Sequence, residues 1–365
     1  MAEHASSVQA EPAHAGGALA RVRNTGSILA CLIDHGLALQ PASEITLLSG
    51  GTQNILMRVA DGVNGYVIRR PGAAIAAGAA HSIARETELL RALGSTGVPH
   101  PRLIVGGNDD RLGGAFYVME EVHGFNPLNG LSAAYRADHA LQSGIGRAMI
   151  DGLVTLGAVD YRRVGLQDFG RPVGFLERQV ARWKSQLEGY ASCPEWPGAA
   201  GLGETSAVAH WLELNRPSAF LPGIMHGDFH IGNVLFHEDR DGIAAIIDWE
   251  LATIGDPLLD LGWLLATWPH EGLPSMANLD VPGWTEREDA ATLIGYYRSR
   301  SHRDLGAVTW YTILACFKLG ILLEGTFVRS LEGSASPEIG RILHDDAITL
   351  FARARHWMDN PIAPL

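Results

Sequence analysis

One short segment of this chain, residues 226–250, constrains the fold more than any other part of the sequence. It contains two short apolar runs joined by a polar turn, at Val234–Phe236, Ile243–Ile247 and His237–Gly242. This pattern is typical of two paired strands. Asp228 and Asn233 come before the first strand, and Asp248 follows the second. Because paired strands hold the residues that flank them, we expect these three side chains to lie close together.

The order of these polar residues favours metal-assisted phosphoryl transfer. Asn233 follows Asp228 by five residues, and Asp248 follows Asn233 by fifteen. Protein kinases use this order to hold magnesium and a nucleotide. Mg²⁺ prefers oxygen ligands, which Asn233 and Asp248 offer, while Asp228 can orient an acceptor hydroxyl and take its proton. A single aspartate is more often a helix cap, and a single asparagine is more often a turn former, so the prediction depends on the complete set.

The order of local patterns predicts an α+β chain with two lobes. The first part reads as short strands around one helix: Ile45–Leu48, Ile55–Val59, Tyr66–Arg69, His81–Leu93 (the helix), Leu103–Val105 and Ala115–Met119. After Gly124 the pattern becomes helical, at Ala134–Leu156, Gly174–Tyr190, Thr205–Leu214, Pro257–Thr267, Glu286–Arg300, Leu305–Arg329 and Pro337–Trp357. We therefore expect a loosely ordered tail at 1–25, a nucleotide-binding lobe at 26–123 and a catalytic, acceptor-binding lobe at 124–365.

Composition narrows the functional classes. The 365 residues carry a net charge of −12, which disfavours a nucleic-acid surface. Three widely spaced cysteines give no disulfide or zinc pattern and fit a reducing compartment. The longest strongly apolar run, Val308–Leu323, is shorter than the roughly 20 residues that a membrane span needs. We therefore expect a cytoplasmic protein that binds neither nucleic acid nor membrane.

The chain resembles the aminoglycoside phosphotransferase and choline kinase superfamily, most closely the branch fused to some acyl-CoA dehydrogenases. The specific matches are the segments His226–Asp228 through Asn233 and Asp248–Glu250, taken together. Weaker matches are Gly255–Leu261, Tyr66–Pro71, Arg85-Glu86 and Phe116–Glu120. This resemblance implies a protein-kinase-like fold with a small antiparallel β-rich N-terminal lobe and a large helical C-terminal lobe. It also implies that Asp228 is the catalytic base and that Asn233 and Asp248 bind the metal. His226 and Asp260 are expected to support the loop, Asp260 by accepting backbone hydrogen bonds.

The same resemblance assigns a nucleotide site in the first lobe. A strand lysine normally contacts the α and β phosphates in this superfamily, but the chain has only two lysines, Lys184 and Lys318, and both lie outside that lobe. Arg69 takes the matching position, with Glu86 as its expected partner. A glycine turn at Ser49, Gly50, Thr52 and Asn54 could cover the phosphates, although an ordinary hairpin turn fits it equally well. By position, Met119, Glu120 and Val122 form the connector that would offer backbone groups to adenine.

The acceptor is less well defined by the sequence than the nucleotide. Between Gly223 and Ala290 there are thirteen acidic and two basic residues, which favours a cationic acceptor such as an aminosugar. A hydroxyacyl thioester is equally compatible with the resemblance. Trp249, Trp263, Trp268, Trp284 and Trp310 could line an apolar pocket, although we interpret them as core residues. The oligomeric state cannot be read from the sequence.

Three functional hypotheses follow. The first is an ATP- and Mg²⁺-dependent kinase of a small-molecule hydroxyl. The second is a nucleotide-binding module without turnover, because Arg69 replaces the usual lysine. The third is a metallohydrolase, because the spacing His226-x-Asp228-x-His230 resembles a ligand cluster.

Overall fold

The computed structural model describes residues 25–40, 43–48, 54–72 and 79–362. These residues form two compact units. The first consists of the described residues of Met1–Gly94 and Pro101–Glu121, and the second consists of Ser95–His100 and the described residues of Val122–Leu365. The short segment Ser95–His100 belongs to the second unit, where the Pro99 carbonyl accepts a 2.9 Å hydrogen bond from the Ile246 amide.

The first unit is built on a five-stranded antiparallel sheet with the order β1-β2-β3-β5-β4. The strands are β1 Glu44–Leu48, β2 Asn54–Ala60, β3 Gly65–Pro71, β4 Leu103–Asp109 and β5 Gly114–Glu120. Three residues of its strands are completely buried: Met57, Val59 and Ile68. The predicted antiparallel sheet is confirmed, and β4 continues four residues beyond its predicted end.

One helix of the first unit was predicted and one was missed. Helix α2, Ala79–Leu93, contacts β3, β4 and β5, and its predicted apolar positions are buried: Ile83, Leu89, Leu90 and Leu93. Helix α1, Thr25–Asp34, was not predicted. Its apolar residues, Ile28, Leu29, Cys31 and Leu32, share one face and join the core formed with the sheet.

The second unit is mostly helical. Its described helices are α3 Ala133–Ala137, α4 His139–Gly157, α5 Phe175–Gly189, α6 Thr205–Leu214, α7 Leu258–Thr267, α8 Ala290–Arg300, α9 Val308–Leu331 and α10 Pro337–Asp359. Two small antiparallel sheets carry the loops of interest. Strand β6, Gly223–Met225, pairs with β9, Thr253–Gly255, and β7, Val234–Phe236, pairs with β8, Ile243–Ile246. The β6–β9 pair was absent from the prediction.

Two helices begin or divide at positions that differ from the prediction. In both cases an aspartate inside the predicted range caps the start of a new helix. The predicted helix Ala134–Leu156 is divided at Asp138, whose backbone is extended and whose carboxylate accepts from the Ala140 amide at 2.8 Å. Helix α8 starts at Ala290 instead of Glu286, since Asp289 caps it through the Thr292 amide at 2.7 Å. Aspartate at the N-cap satisfies an amide that the helix leaves without a partner.

Helix α9 is longer than the apolar run seen in the sequence. It spans 24 residues, and by length and composition alone it could cross a membrane. However, 78% of its most apolar window is buried inside the protein. It packs against α7 and α10, as a buried core helix does.

Candidate active site

The segment that carries the predicted catalytic residues lies in the second unit, between two short strands. It leaves β6 at His226 and enters β7 at Val234, with a short 3₁₀ turn at Ile231–Asn233. Both strands are antiparallel to partners that come later in the chain. We call residues 226–233 the central loop. Its two ends are therefore fixed by strand pairing, while its middle depends on side-chain contacts.

Asp260 holds the first part of the central loop. This residue lies in the first turn of α7 and is almost completely buried. Its two carboxylate oxygens accept hydrogen bonds from the His226 and Gly227 amides, at 2.6 and 2.8 Å. Burial raises the pKa of Asp260, and the two amides and the Lys318 charge oppose that effect. The carboxylate thus satisfies two buried amides that have no strand partner.

Gly227 is required by the shape of the loop. Its φ is +85°, in the left-handed region that non-glycine residues rarely adopt. A Cβ atom at this position would come within 2.4 Å of the Leu251 carbonyl oxygen. The chain can therefore turn toward Asp228 here only with glycine.

Asp228 and Asn233 are in direct contact. The Asn233 side-chain amide donates to the Asp228 carbonyl at 2.9 Å and to its carboxylate at 3.0 Å. His230 lies beside the same carboxylate, with Nε2 3.5 Å from Oδ1. Burial acts to raise the pKa of Asp228, but the neighbouring His230, His226 and Lys318 side chains outweigh it and hold the pKa below the usual range. Asp228 is therefore ionised at neutral pH.

Asp248 is positioned by Ile247, the residue before it. The Ile247 amide donates to the Asn233 carbonyl at 2.9 Å, and its carbonyl lies 2.8 Å from His226 Nε2. Both ends of the central loop therefore bind the same residue, Ile247. Asp248 itself has a φ of 65°, the one positive value found for a non-glycine residue among the described residues. Such a conformation costs about 1–3 kcal/mol and persists where the surroundings fix it.

The donors at this site suit magnesium better than a transition metal. Because the Asn233 nitrogen faces Asp228, its amide oxygen is not used in those hydrogen bonds. Together with the Asp248 carboxylate it offers the oxygen ligands that Mg²⁺ prefers. His226 does not fit a zinc site, since Nε2 bonds the Ile247 carbonyl and Nδ1 accepts from the Asp228 amide. The spacing that suggested a metallohydrolase therefore serves the loop backbone.

One cluster of possible metal ligands occurs elsewhere among the described residues. Cys31, His35 and Asp109 lie in the first unit, with ligand atoms within 4.8 Å of one another. Arg111 already binds both oxygens of Asp109, at 2.8–3.0 Å. A guanidinium at the carboxylate disfavours a divalent cation there, and burial raises the pKa of the Cys31 thiol to about 11.

In the first unit, Arg69 and Glu86 form a buried ion pair. Arg69 Nε lies 3.1 Å from Glu86 Oε2, linking β3 to α2. Their side chains are 8% and 1% exposed. Glu86 also accepts from the Tyr117 hydroxyl at 2.9 Å and from Ser82 at 3.3 Å. The carboxylate is thus held by residues from strand and helix together.

The structure describes only some of the other residues that were predicted to bind the nucleotide. Ser49, Gly50 and Thr52 lie outside the described residues. Asn54 begins β2, opposite Pro71 of β3. Met119 and Glu120 end β5, where Glu120 pairs with Arg102 at 3.2 Å, and Val122 begins the next part of the second unit. The role of these residues toward adenine stays a prediction.

A family model for the "Phosphotransferase enzyme family" matches residues 44–295, which include the strands of the first unit and the whole central loop. The chain belongs to this family. The predicted relation to the aminoglycoside phosphotransferases is confirmed, and so is the protein-kinase-like fold.

Relatives of this family member include acyl-CoA dehydrogenase family member 11 of Rattus norvegicus, 31% identical over 80% of this chain and 37% of the relative. The chain thus spans less than two fifths of the length of that relative. A crystal structure from Ralstonia eutropha, named as a candidate aminoglycoside phosphotransferase, has a TM-score of 0.71 at 26% identity, covering 91% of this chain and 98% of that one.

Two further structures show the fold alone. Aminoglycoside phosphotransferase APH(4)-Ia, solved with ADP and hygromycin B, has a TM-score of 0.60 at 15% identity, with 92% of this chain and 99% of that chain covered. Choline kinase from Cryptosporidium parvum also has a TM-score of 0.60, at 12% identity, with 92% and 97% covered.

Lys318 is the site residue that sequence reasoning did not identify. It lies on α9, and its ammonium donates to the Gly227 carbonyl at 2.9 Å. The available signal was a lysine in the middle of an otherwise apolar helix, which here marks a buried charge. The tryptophans interpreted as core residues are confirmed as core: Trp249, Trp263, Trp268, Trp284 and Trp310 are at most 4% exposed.

Proposed function

We propose that this family member is an ATP- and Mg²⁺-dependent phosphotransferase that acts on a hydroxyl of a small molecule in the cytoplasm. The observation that carries this proposal is the contact of Asp228 with Asn233, together with the double attachment of Ile247, which precedes Asp248. One carboxylate and two oxygen donors are thereby held on one backbone framework. Family membership and the ADP complex of a structural neighbour support the nucleotide part.

Each residue of the framework has a separate task in the proposed reaction. Asp228 accepts a hydrogen bond from the acceptor hydroxyl and takes its proton as the hydroxyl oxygen bonds to the γ-phosphorus and ADP leaves. Asn233 and Asp248 would hold Mg²⁺, which offsets the phosphate charge when bound. Asn233 also orients Asp228 through its amide nitrogen. In the first unit, Arg69 provides the cation for the phosphates, held by Glu86.

The proposed acceptor is a small molecule with a free hydroxyl. Structural neighbours are named for choline and for aminoglycosides, which carry cationic groups beside their hydroxyls. The acidic composition of residues 223–290, the segment that contains the central loop, favours such an acceptor. The relation to acyl-CoA dehydrogenase family members keeps a hydroxyacyl thioester as the second acceptor class.

Transfer of labelled phosphate tests the reaction. The purified protein is incubated with Mg²⁺, γ-labelled ATP and a panel that contains aminosugars, amino alcohols, hydroxyacyl thioesters and a metabolite extract. The wild-type protein should label at least one acceptor. Asp228→Asn should lower kcat by about 10²–10⁴-fold, because a positioned base contributes that much, while Kd for ATP changes by less than about twofold.

An exposed aspartate of the same unit supplies the control. Asp345 lies on α10, and Asp345→Asn should leave kcat unchanged. Full activity of Asp228→Asn would exclude Asp228 as the base. If the wild-type protein binds ATP but labels no acceptor in the panel or the extract, the result favours a nucleotide-binding module without turnover.

A further inference from the structure

Lys318 reaches the central loop from α9 and contacts the backbone next to Asp228. The peptide that joins Gly227 to Asp228 is held at both ends. Its carbonyl accepts from the Lys318 ammonium at 2.9 Å, and its amide donates to His226 Nδ1 at 3.3 Å. The amide of Gly227 is bound by Asp260. The direction in which the Asp228 side chain leaves the backbone therefore depends on Lys318.

The ammonium lies in a largely aromatic environment. Its nitrogen is 4.4 Å from the centre of the Trp263 ring and 5.5 Å from that of Trp183. These rings belong to α7 and α5. Aromatic faces attract a cation, and the attraction grows when the cation is desolvated. Lys318 is 8% exposed, so it meets this condition.

Charged groups on three neighbouring elements act on Lys318. Asp228 in the central loop and Asp260 on α7 favour its charged form, and Arg182 on α5 disfavours it. Burial is the largest influence and lowers the pKa of Lys318 to about 8. A buried charge is unfavourable for folding unless it is paired, whereas an apolar side chain of similar size fits such a site readily. The position of this lysine is therefore better explained by a function than by stability.

On the basis of the proposed function, we propose that Lys318 is a positioning residue for phosphate transfer, which fixes the Gly227 carbonyl and balances the Asp228 and Asp260 carboxylates. It does not touch substrate, and it acts through the backbone beside Asp228. The charged ammonium makes a stronger hydrogen bond to the carbonyl than a neutral amine does. Activity should therefore be full below about pH 8 and fall as Lys318 loses its proton at higher pH.

Replacement of Lys318 by an apolar residue of similar length tests the effect on the reaction. Lys318→Met should lower kcat by at least tenfold with KM for ATP within about twofold, because the nucleotide contacts lie elsewhere. The fall in kcat with an ionisation near pH 8 should disappear in this variant. Lys184 on α5 is exposed and is the only other lysine, so Lys184→Met is the matched control and should retain wild-type kinetics.

Measurement of thermal unfolding separates positioning from a structural role. Removal of a buried charge relieves its desolvation and leaves the Gly227 carbonyl without its donor, so Tm should change little in Lys318→Met. A lower kcat in fully folded protein supports positioning. Unchanged kcat in folded Lys318→Met overturns the proposal. If Lys318→Met does not fold, Lys318→Arg is measured in its place. Arginine stays charged and can restore the contact with the loop, so the loss of activity near pH 8 should disappear in this variant. A loss of activity that persists near pH 8 overturns the proposal.

Lysine NMR supplies a test that needs no turnover. With lysine labelled at Cε, the protein should give two lysine signals, one from the exposed Lys184 and one from Lys318. Lys318 should titrate near pH 8, and Asp228→Asn should lower that pKa by about 0.5 unit or more, since the carboxylate supports the charged amine. An unchanged Lys318 pKa in Asp228→Asn overturns the charge coupling even if wild-type protein transfers no phosphate. A wild-type protein without transfer but with the coupling contradicts the proposed function alone.

Discussion

Two buried arrangements of charged side chains, one in each unit, bind different kinds of partner. In the first unit, Arg69 and Glu86 bind each other, side chain to side chain, between a strand and a helix. In the second unit, Asp260 and Lys318 bind backbone groups of the central loop. The first arrangement links two elements that are already formed. The second determines the shape of the first part of the central loop, which lies between a strand and a short 3₁₀ turn.

This difference predicts different consequences of substitution. One side chain of an ion pair can be shortened or replaced without moving the backbone. Loss of the ion pair should therefore appear mainly in stability and in nucleotide affinity. Loss of a backbone contact leaves a buried amide or carbonyl without a partner and changes the loop itself. Loss of the Asp260 contacts should therefore reduce stability and catalysis together, whereas loss of Lys318 also removes a buried charge and should act mainly on catalysis.

The largest expected effect is that of Asp260→Ala. This change leaves the buried His226 and Gly227 amides without acceptors, and each such amide costs about 1–3 kcal/mol. The free energy of unfolding should fall by about 4 kcal/mol in urea titrations, and kcat should be lost with it. Asp289→Ala removes an exposed helix cap and should cost only about 1 kcal/mol. Equal losses in the two variants would contradict the backbone role of Asp260.

Arg69→Met should have the next largest effect. It removes the guanidinium from the buried Glu86 carboxylate, and removal of one partner of a buried ion pair costs about 3 kcal/mol or more. Kd for ATP should rise by about tenfold if Arg69 binds phosphate, which corresponds to about 1.4 kcal/mol. Calorimetric titration with MgATP measures it.

The double variant with Glu86→Gln sharpens this result. Because the two residues contact each other, the double variant should lose less stability than the sum of the single variants. Additive losses would show that the pair is not the source of the effect.

Glycine substitutions compare the two units at nearly the same backbone angle. Gly227 in the central loop and Gly62 in the first unit have φ of +85° and +87°. A Cβ at Gly62 meets no atom within 4 Å, whereas at Gly227 it meets the Leu251 carbonyl at 2.4 Å. Both alanine variants carry the left-handed strain of about 1–2 kcal/mol, and Gly227→Ala should lose about 2 kcal/mol more. If thermal unfolding shows equal losses, the loop has room to move there.

Glu120→Ala should have the smallest effect. Glu120 pairs with Arg102 at 3.2 Å, but the two side chains are 36% and 66% exposed, and exposed pairs contribute less than about 1 kcal/mol. If the connector binds adenine through its backbone, as predicted, Kd for ATP should stay within about twofold. A tenfold loss of affinity would assign a direct role to this side chain.

Much of the fold could be predicted because its patterns are local. The apolar positions of α2 and the five strands were evident from periodicity over a few residues each. The break at Asp138 was missed because the apolar pattern continues across it, and only the capping contact with Ala140 ends one helix and starts the next. Helix α1 was missed because ten residues give a weak signal, and its stability comes from packing on the sheet.

The sequence by itself determined the candidate site, because Asp228, Asn233 and Asp248 lie within 21 consecutive residues around one strand pair. Strand pairing of that length is a local event, so the order of residues was sufficient to bring Asp228 and Asn233 into contact and to attach Ile247, which precedes Asp248, to the same loop. The family resemblance predicted the role of Asp260, but only the tertiary structure showed that Lys318 also holds the loop, because Asp260 and Lys318 lie 33 and 91 positions from Gly227. Contacts of that separation depend on the packing of α7 and α9, and a lysine or an aspartate in a helix has the same local pattern whether it faces solvent or a buried loop.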